Sequence, residues 1–317
     1  MNLRRAAPKP LAILLGVLLS ALASALVLAP HIEDIAQAEP GPFSTTPQTS
    51  TQASTQASTQ ATSQATSHPT AQAPSLPVRV LKRLPHDPAA FTQGLIFHHG
   101  ELVESTGLYG QSSLRRTNPE TGQVLVLARL PGALFGEGLA LCPPHPGKPA
   151  RLVQLTWREG RILTYDPLSL RQLGSHSMQG EGWGLAWDGT RLILSDGTDT
   201  LRLLAPDSFA QIGRLKVRDA DAPVRELNEL EWVQGWLLAN VWEQDRIAVI
   251  RPPGAPGQGQ VAAWLDLSAL RRELGPGAEV ANGVAFDPQT RALYVTGKRW
   301  NTVFVLALPP LLEQPPR

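Results

Sequence analysis

The chain reads as all-β, a ring of five four-stranded sheets, and three observations predict that. First, a short turn, usually carrying glycine, leads into an apolar run five times: "FTQGLIF" at Phe91, "GEGLAL" at Gly136, "GWGLAW" at Gly182, "NELEWV" at Asn228 and "NGVAFD" at Asn282. Counted from Gly94 to Gly138, Gly184, Leu230 and Gly283, the steps are 44, 46, 46 and 53 residues, a period typical of propeller blades. Second, short runs rich in Val, Leu and Ile follow each entry, separated by turn residues at strand rather than helix spacing. Third, the last repeat lacks a strand and the first is preceded by a spare one. The predicted fold is a five-bladed β-propeller closed by an N-terminal strand that completes the last blade.

Taken in order, residues 1–30 place Arg4, Arg5 and Lys9 before an apolar stretch at 11–28, the pattern of a signal peptide. Small residues at Ala21, Ala23 and Ala25 suit cleavage, while the length of the stretch also suits an N-terminal membrane anchor. The protein is therefore expected to be exported and extracytoplasmic, either secreted or periplasmic, or attached to a membrane. Within residues 31–77, the stretch from Phe43 to Ser75 repeats "STQA" variants with almost no charge and, past Phe43, no large apolar side chain. Such a segment buries too little surface to offset its ordering entropy, so a disordered Ser/Thr/Gln/Ala-rich linker is expected.

The spare strand is "VRVLKRL" at 78–84, and the propeller is expected over 78–310, with a tail at 311–317. Second strands are read in "ELVESTG", "RLVQLTW", "RLILSDG", "WLLANVW" and "ALYVTGK". Third strands follow in "SSLRRTNPETG", "RILTYDPLSL", "TLRLLAPDSF", "RIAVIRPPGA" and "NTVFVLAL". Fourth strands follow in "QVLVLARL", "RQLGSHS", "AQIGRLKV" and "QVAAWLDL".

A net charge of +1 without a basic block argues against nucleic acid or an anionic membrane surface as partner. The single cysteine, Cys142, excludes an intrachain disulfide, and no Cys/His cluster has zinc spacing. No Ser-His-Asp or Cys-His arrangement and no phosphate-binding loop is present, which points away from a protein nucleophile. Neither a cofactor nor a metal is expected, although Glu137, Glu229, Asn228 and Asn282 offer oxygens of the kind calcium takes. A monomer is expected.

In a propeller the inner strand starts on one face of the ring, and the antiparallel second strand returns to that face. The entries bring Phe91, Gln93, Glu137, Trp183, Asn228, Glu229 and Asn282 to that mouth. The returns bring Glu104, Trp157, Asp196, Asn240, Trp242 and Lys298. Three tryptophans there would wall a small-molecule or side-chain pocket, or else pack between blades. Glycines flank Glu137 in "FGEGL", and a carboxyl between indole walls has a raised pKa suited to proton transfer near neutrality. The alternative for Glu137 is an ordinary ion pair with Lys298, and for Asn228 a bond to its own backbone.

At these residues the chain resembles the plant and bacterial glutaminyl-peptide cyclotransferases of the papaya-latex type. "FTQGL", "ESTGLYGQSSLR", "FGEGLAL", "WGLAWDG", "SDGT", "LNELEW", "ANVW" and "NGVAFD…VTGK" carry the resemblance across 78–308. It implies an ammonia-releasing acyltransferase that acts on peptides or proteins with N-terminal glutamine and makes pyroglutamate without catalytic zinc. By motif it implies Phe91, Gln93, Trp157, Trp183 and Trp242 as substrate-binding residues, and Glu137, Lys298 and Asn228 as catalytic ones. In that reading Glu137 shuttles the proton, Lys298 faces the oxyanion and Asn228 positions the substrate. Two alternatives compete: a metal-dependent lactonase-like propeller hydrolase, and a non-catalytic propeller that binds a partner at the same mouth.

Overall fold

The computed structural model describes residues 71–145 and 147–316, so the expected signal or anchor at 1–30 and most of the expected linker lie outside the described residues. The described residues form five antiparallel sheets of the propeller kind. Blade 1 consists of Thr92–His98, Glu101–Thr106, Ser113–Thr117 and Val124–Arg129. Blade 2 consists of Gly136–Cys142, Arg151–Thr156, Arg161–Tyr165 and Gln172–Ser177. Blade 3 is formed by Leu185–Trp187, Leu192–Leu194, Thr200–Leu204 and Gln211–Lys216. Blade 4 is formed by Leu227–Val233, Trp236–Val241, Arg246–Ile250 and Val261–Asp266. Blade 5 combines Ala281–Asp287, Ala292–Gly297 and Thr302–Ala307 with Val80–Pro85, which pairs antiparallel with Thr302–Ala307 on the outside.

Each inner strand lies beside those of its two neighbouring blades, and blade 5 returns to blade 1. Middle strands such as Arg151–Thr156 are buried along their whole length, whereas the outer Val124–Arg129 alternates between exposed and half-buried residues. Apolar side chains fill the space between blades: Ile96, Val103 and Leu114 of blade 1 meet Leu139, Leu152 and Leu163 of blade 2. Each fully buried side chain of this kind is worth about 1.5–3 kcal/mol.

The entry glycines recur because neighbouring inner strands nearly touch there. A Cβ on Gly138 would lie 2.6 Å from the Gly184 carbonyl carbon, and one on Gly184 would lie 2.0 Å from the Asn228 carbonyl oxygen. Blade 4 carries Glu229 next to this position, and its carboxylate accepts the Leu95 N–H at 3.3 Å and the Val284 N–H at 2.9 Å. Glu231 accepts the Phe286 N–H at 2.9 Å. These carboxylates satisfy main-chain donors on the inner edges of blades 1 and 5, which have no further strand to pair with.

Both ends of the expected domain are corrected. Ser75–Pro77, read as linker, run parallel to Val261–Asp266 as a fifth strand of blade 4. Asp219 secures them by accepting the Ala73 N–H at 2.7 Å and the Trp264 indole N–H at 2.9 Å. Residues 311–316, read as a tail, include most of a single 3-10 turn, Pro310–Glu313, that buries Leu312. The Trp236 indole donates to the Gln314 carbonyl at 2.9 Å just beyond it. Between blades 4 and 5 a short helix, Ser268–Arg271, accounts for the longest step in the repeat and carries Arg271 towards the mouth of the ring.

Candidate active site

Four of the five inner strands carry a β-bulge at the same level. Strand pairing skips between Thr92 and Gly94, Gly136 and Leu139, Leu227 and Leu230, and Ala281 and Val284. The residues set free from the ladder include Gln93, Glu137, Asn228 and Asn282. An extra residue bends the strand and re-aims its side chain, so each of these four blades turns one polar group towards the axis of the ring.

Above the bulges lies a cavity of about 930 Å³. Its lining includes all eight residues expected at the site: Phe91, Gln93, Glu137, Trp157, Trp183, Asn228, Trp242 and Lys298. Phe91 meets Phe135 edge-on at 6.2 Å, and Phe135 meets Trp157 at 5.4 Å. On the other side Trp183 meets Trp242 edge-on at 6.0 Å. Trp242 is 40% exposed, so it forms the open rim rather than the floor.

Glu137 is buried, and its Oε1 accepts a hydrogen bond from Gln93 Nε2 at 2.8 Å. Gln93 Oε1 in turn accepts from Asn282 Nδ2 at 3.1 Å. Burial pushes the Glu137 carboxyl well above the ordinary carboxylate range; Lys298 opposes this, and the charges of Glu159 and Glu181 add to it. Lys298 is 6% exposed, and burial lowers its pKa against the pull of Glu137 and Glu279. Its Nζ lies 4.7 Å from the centre of the Phe91 ring. No ion pair within 4.0 Å joins it to Glu137 among the described residues, so the simple ion-pair alternative does not describe this geometry. Asn228 Oδ1 is buried without a hydrogen-bond partner, an acceptor left open beside the cavity.

Five other residues expected at the mouth are absent from the lining. Glu104 points the other way, to Arg115 Nε at 2.8 Å and His86 Nε2 at 3.1 Å. The reason is register. Gly107, Trp157, Trp242 and Lys298 each donate a main-chain N–H to the residue at the start of their blade, respectively Phe91, Phe135, Glu226 and Val280. Blade 1 therefore presents Gly107 at the equivalent place, where a Cβ would lie 2.3 Å from the Phe135 ring. Asp196 accepts from Thr198 Oγ1 at 2.6 Å, and Asn240 Oδ1 accepts the Gly283 N–H at 3.1 Å. Glu229 is committed to main-chain donors, and Asn282 supports Gln93 from behind. The calcium-like set of Glu137, Glu229, Asn228 and Asn282 thus has two members already engaged elsewhere, and no group of three metal-binding His, Cys, Asp or Glu occurs among the described residues.

Sequence reasoning passed over Phe135 and Glu181, both in the lining. Phe135 directly precedes the "GEG" entry, and Glu181 stands two residues before Trp183, so extending the entry motif backwards would have reached both.

The fold and the site define a propeller enzyme whose cavity combines a buried carboxyl, a nearby cation and aromatic walls, with no Ser, Thr, Cys or His among the described residues of the lining. The chain belongs to the glutamine cyclotransferase family, which matches residues 51–308. It is 40% identical over 238 residues to a glutaminyl-peptide cyclotransferase of Arabidopsis thaliana, covering 73% of this chain and 71% of the relative. It also resembles the crystal structure of Myxococcus xanthus glutaminyl cyclase, with 35% identity and a TM-score of 0.66 over 74% of this chain and 97% of the other.

Proposed function

We propose that this protein is a glutaminyl-peptide cyclotransferase that converts N-terminal glutamine to pyroglutamate and releases ammonia. The observation that carries the reading is Glu137: a buried carboxyl at a strand bulge, held by Gln93 at 2.8 Å and set among aromatic walls. Family membership supports the same reading.

The substrate α-amine has a pKa of about 7.7–8.0, so a useful fraction is neutral at mild pH. Its lone pair attacks the side-chain amide carbon, forming the ring C–N bond, and the carbonyl electron pair moves to oxygen. Lys298 faces that oxyanion, and preorganised charge of this kind is worth far more in a cavity than in water. Glu137 takes the proton from the attacking nitrogen. When the tetrahedral intermediate collapses, the C–N bond to the amide nitrogen breaks, and Glu137 returns the proton so that ammonia leaves. The Trp157, Trp183 and Trp242 walls hold the side chain folded onto its own amine, an alignment worth on the order of 7–11 kcal/mol when good. Asn228 Oδ1 is the open acceptor for a substrate N–H.

Incubating a Gln-initiated peptide with the protein and following ammonia and peptide mass tests the reading; an unchanged mass would sink it. Adding a chelator in parallel separates it from a metal-dependent hydrolase. As a further part of the proposal, residues 1–30 direct export, and cell fractionation that leaves the protein in the cytoplasm would reject that part.

A further inference from the structure

Glu181 joins the two aromatic sides of the cavity through one carboxylate. Its Oε2 accepts the indole N–H of Trp157 at 2.8 Å and that of Trp183 at 3.0 Å. Its Oε1 accepts from Arg158 Nε at 3.0 Å, and the same guanidinium lies 3.8 Å from the centre of the Trp157 ring. The main chain beneath is anchored as well, because the Glu181 carbonyl accepts from Arg202 at 2.6 Å. Trp157 follows the second strand of blade 2, and Trp183 precedes the inner strand of blade 3. Sheet hydrogen bonds fix their backbones but leave the rings free to turn about Cβ. A hydrogen bond at the indole nitrogen, at the far side of the ring, removes that freedom. Trp242 then rests edge-on against Trp183.

We propose that Glu181 is the positioning residue of this cavity: one carboxylate oxygen sets the rotation of Trp157 and Trp183 together and so fixes the slot in which the substrate side chain folds towards Glu137. The proposal rests on the cyclotransferase reading of the site. A second effect runs through charge. The charged groups acting on Glu137 are Lys298, Glu159 and Glu181; the two carboxylates favour its protonated form and Lys298 opposes them.

Three sets of variants test the proposal. Glu181→Leu removes both indole acceptors and should raise KM about tenfold, the scale of losing hydrogen bonds to a charged group, with a smaller change in kcat. Glu181→Gln keeps an oxygen for the indoles but carries no charge; KM should stay within about twofold, and the acid limb of kcat should move to lower pH. Trp157→Phe with Trp183→Phe removes the indole N–H groups while keeping aromatic rings, and in that background Glu181→Leu should add less than about twofold to KM. An unchanged KM in Glu181→Leu, or an equal penalty in both backgrounds, overturns the proposal. If Glu181→Leu fails to fold, a KM for Glu181→Gln far above wild type overturns it, and retention of wild-type KM with the shifted acid limb supports it. If the wild-type protein does not cyclise glutamine, the functional reading fails and the positioning role is judged by acrylamide quenching of tryptophan fluorescence. Greater quenching in Glu181→Leu, lost in the double-phenylalanine background, supports the role, and no change overturns it.

Discussion

Gln93 Nε2 donates to Glu137 Oε1 at 2.8 Å, and Asn282 fixes which way the Gln93 amide faces by donating to its oxygen at 3.1 Å. One Glu137 oxygen is therefore engaged from behind. Its Oε2 makes no hydrogen bond among the described residues, and in the proposed mechanism it is the oxygen that exchanges a proton with substrate. Glu137→Gln should lower turnover by about 10²–10⁴-fold, the usual contribution of a positioned acid-base group. The isosteric amide can still accept from Gln93, so the melting temperature should not fall. Near-normal ammonia release by this variant would remove Glu137 from the mechanism.

Lys298 carries a charge into a nearly closed space, with the Phe91 ring below it and no ion-pair partner within 4.0 Å among the described residues. A cation held this way is free to meet negative charge that appears only during reaction. Lys298→Met should cost about 10²–10³-fold in kcat with little change in KM, in line with the loss of an oxyanion donor. A loss confined to KM would instead make Lys298 a ground-state binding group and leave the oxyanion to Asn228.

The Trp183 wall depends on a glycine across from it. Gly197 has φ +79°, and a Cβ there would lie 2.7 Å from the Trp183 ring. Gly197→Ala should therefore cost about 1–3 kcal/mol of stability by overpacking and, by pushing the indole into the cavity, raise KM. Trp183→Ala should raise KM more strongly by removing the wall, and steady-state kinetics on both variants separates displacement from loss. An unchanged KM in Trp183→Ala would mean the substrate lies elsewhere.

The blade count and the eight lining residues were legible because two regularities coincide: the entry repeat marks where each inner strand begins, and the bulge places one polar residue of the entry on the axis. The second-strand ends were harder to read. A strand puts successive side chains on opposite faces, and the pattern "ELVEST" does not reveal that the chain pairs on past the strand end at Thr106, through the Gly107 N–H, before reaching the cavity. Glu104 was thus placed at the mouth three residues too early. The place of Glu181 just before the Trp183 entry is readable, but its hydrogen bonds to two indoles from different blades are not, because that relationship exists only after the ring has closed.

His86 and Arg115 together hold Glu104 away from the cavity. His86 lies just after the closing strand Val80–Pro85, with Nδ1 2.7 Å from the Trp300 carbonyl oxygen and Nε2 3.1 Å from Glu104 Oε1. Both partners are acceptors, so both ring nitrogens donate only when the ring is protonated. Burial disfavours that charge and Arg115 opposes it, but Glu104 and the Trp300 carbonyl outweigh them and raise the His86 pKa. Burial likewise opposes ionisation of Glu104, yet Arg115 and His86 hold its carboxyl well below the ordinary range. For His86 the folded value lies above the unfolded value of about 6.5, so its contribution is complete below that pH and disappears as pH rises through the folded value. For Glu104 the sign is reversed: its contribution is present above the usual carboxylate range and is lost as pH falls through the depressed value. His86→Asn should therefore cost most stability, about 3–5 kcal/mol on the scale of a broken buried charge pair, near pH 6 and progressively less towards pH 9. Chemical denaturation of both proteins across that interval measures the difference directly, and a penalty that stays constant with pH would show that His86 is held neutral. The loss would also reach the Gln93–Glu137 pair, because Thr92 donates to Glu104 at 2.6 Å and its carbonyl receives Asn282 Nδ2 at 3.0 Å, the same amide that orients Gln93.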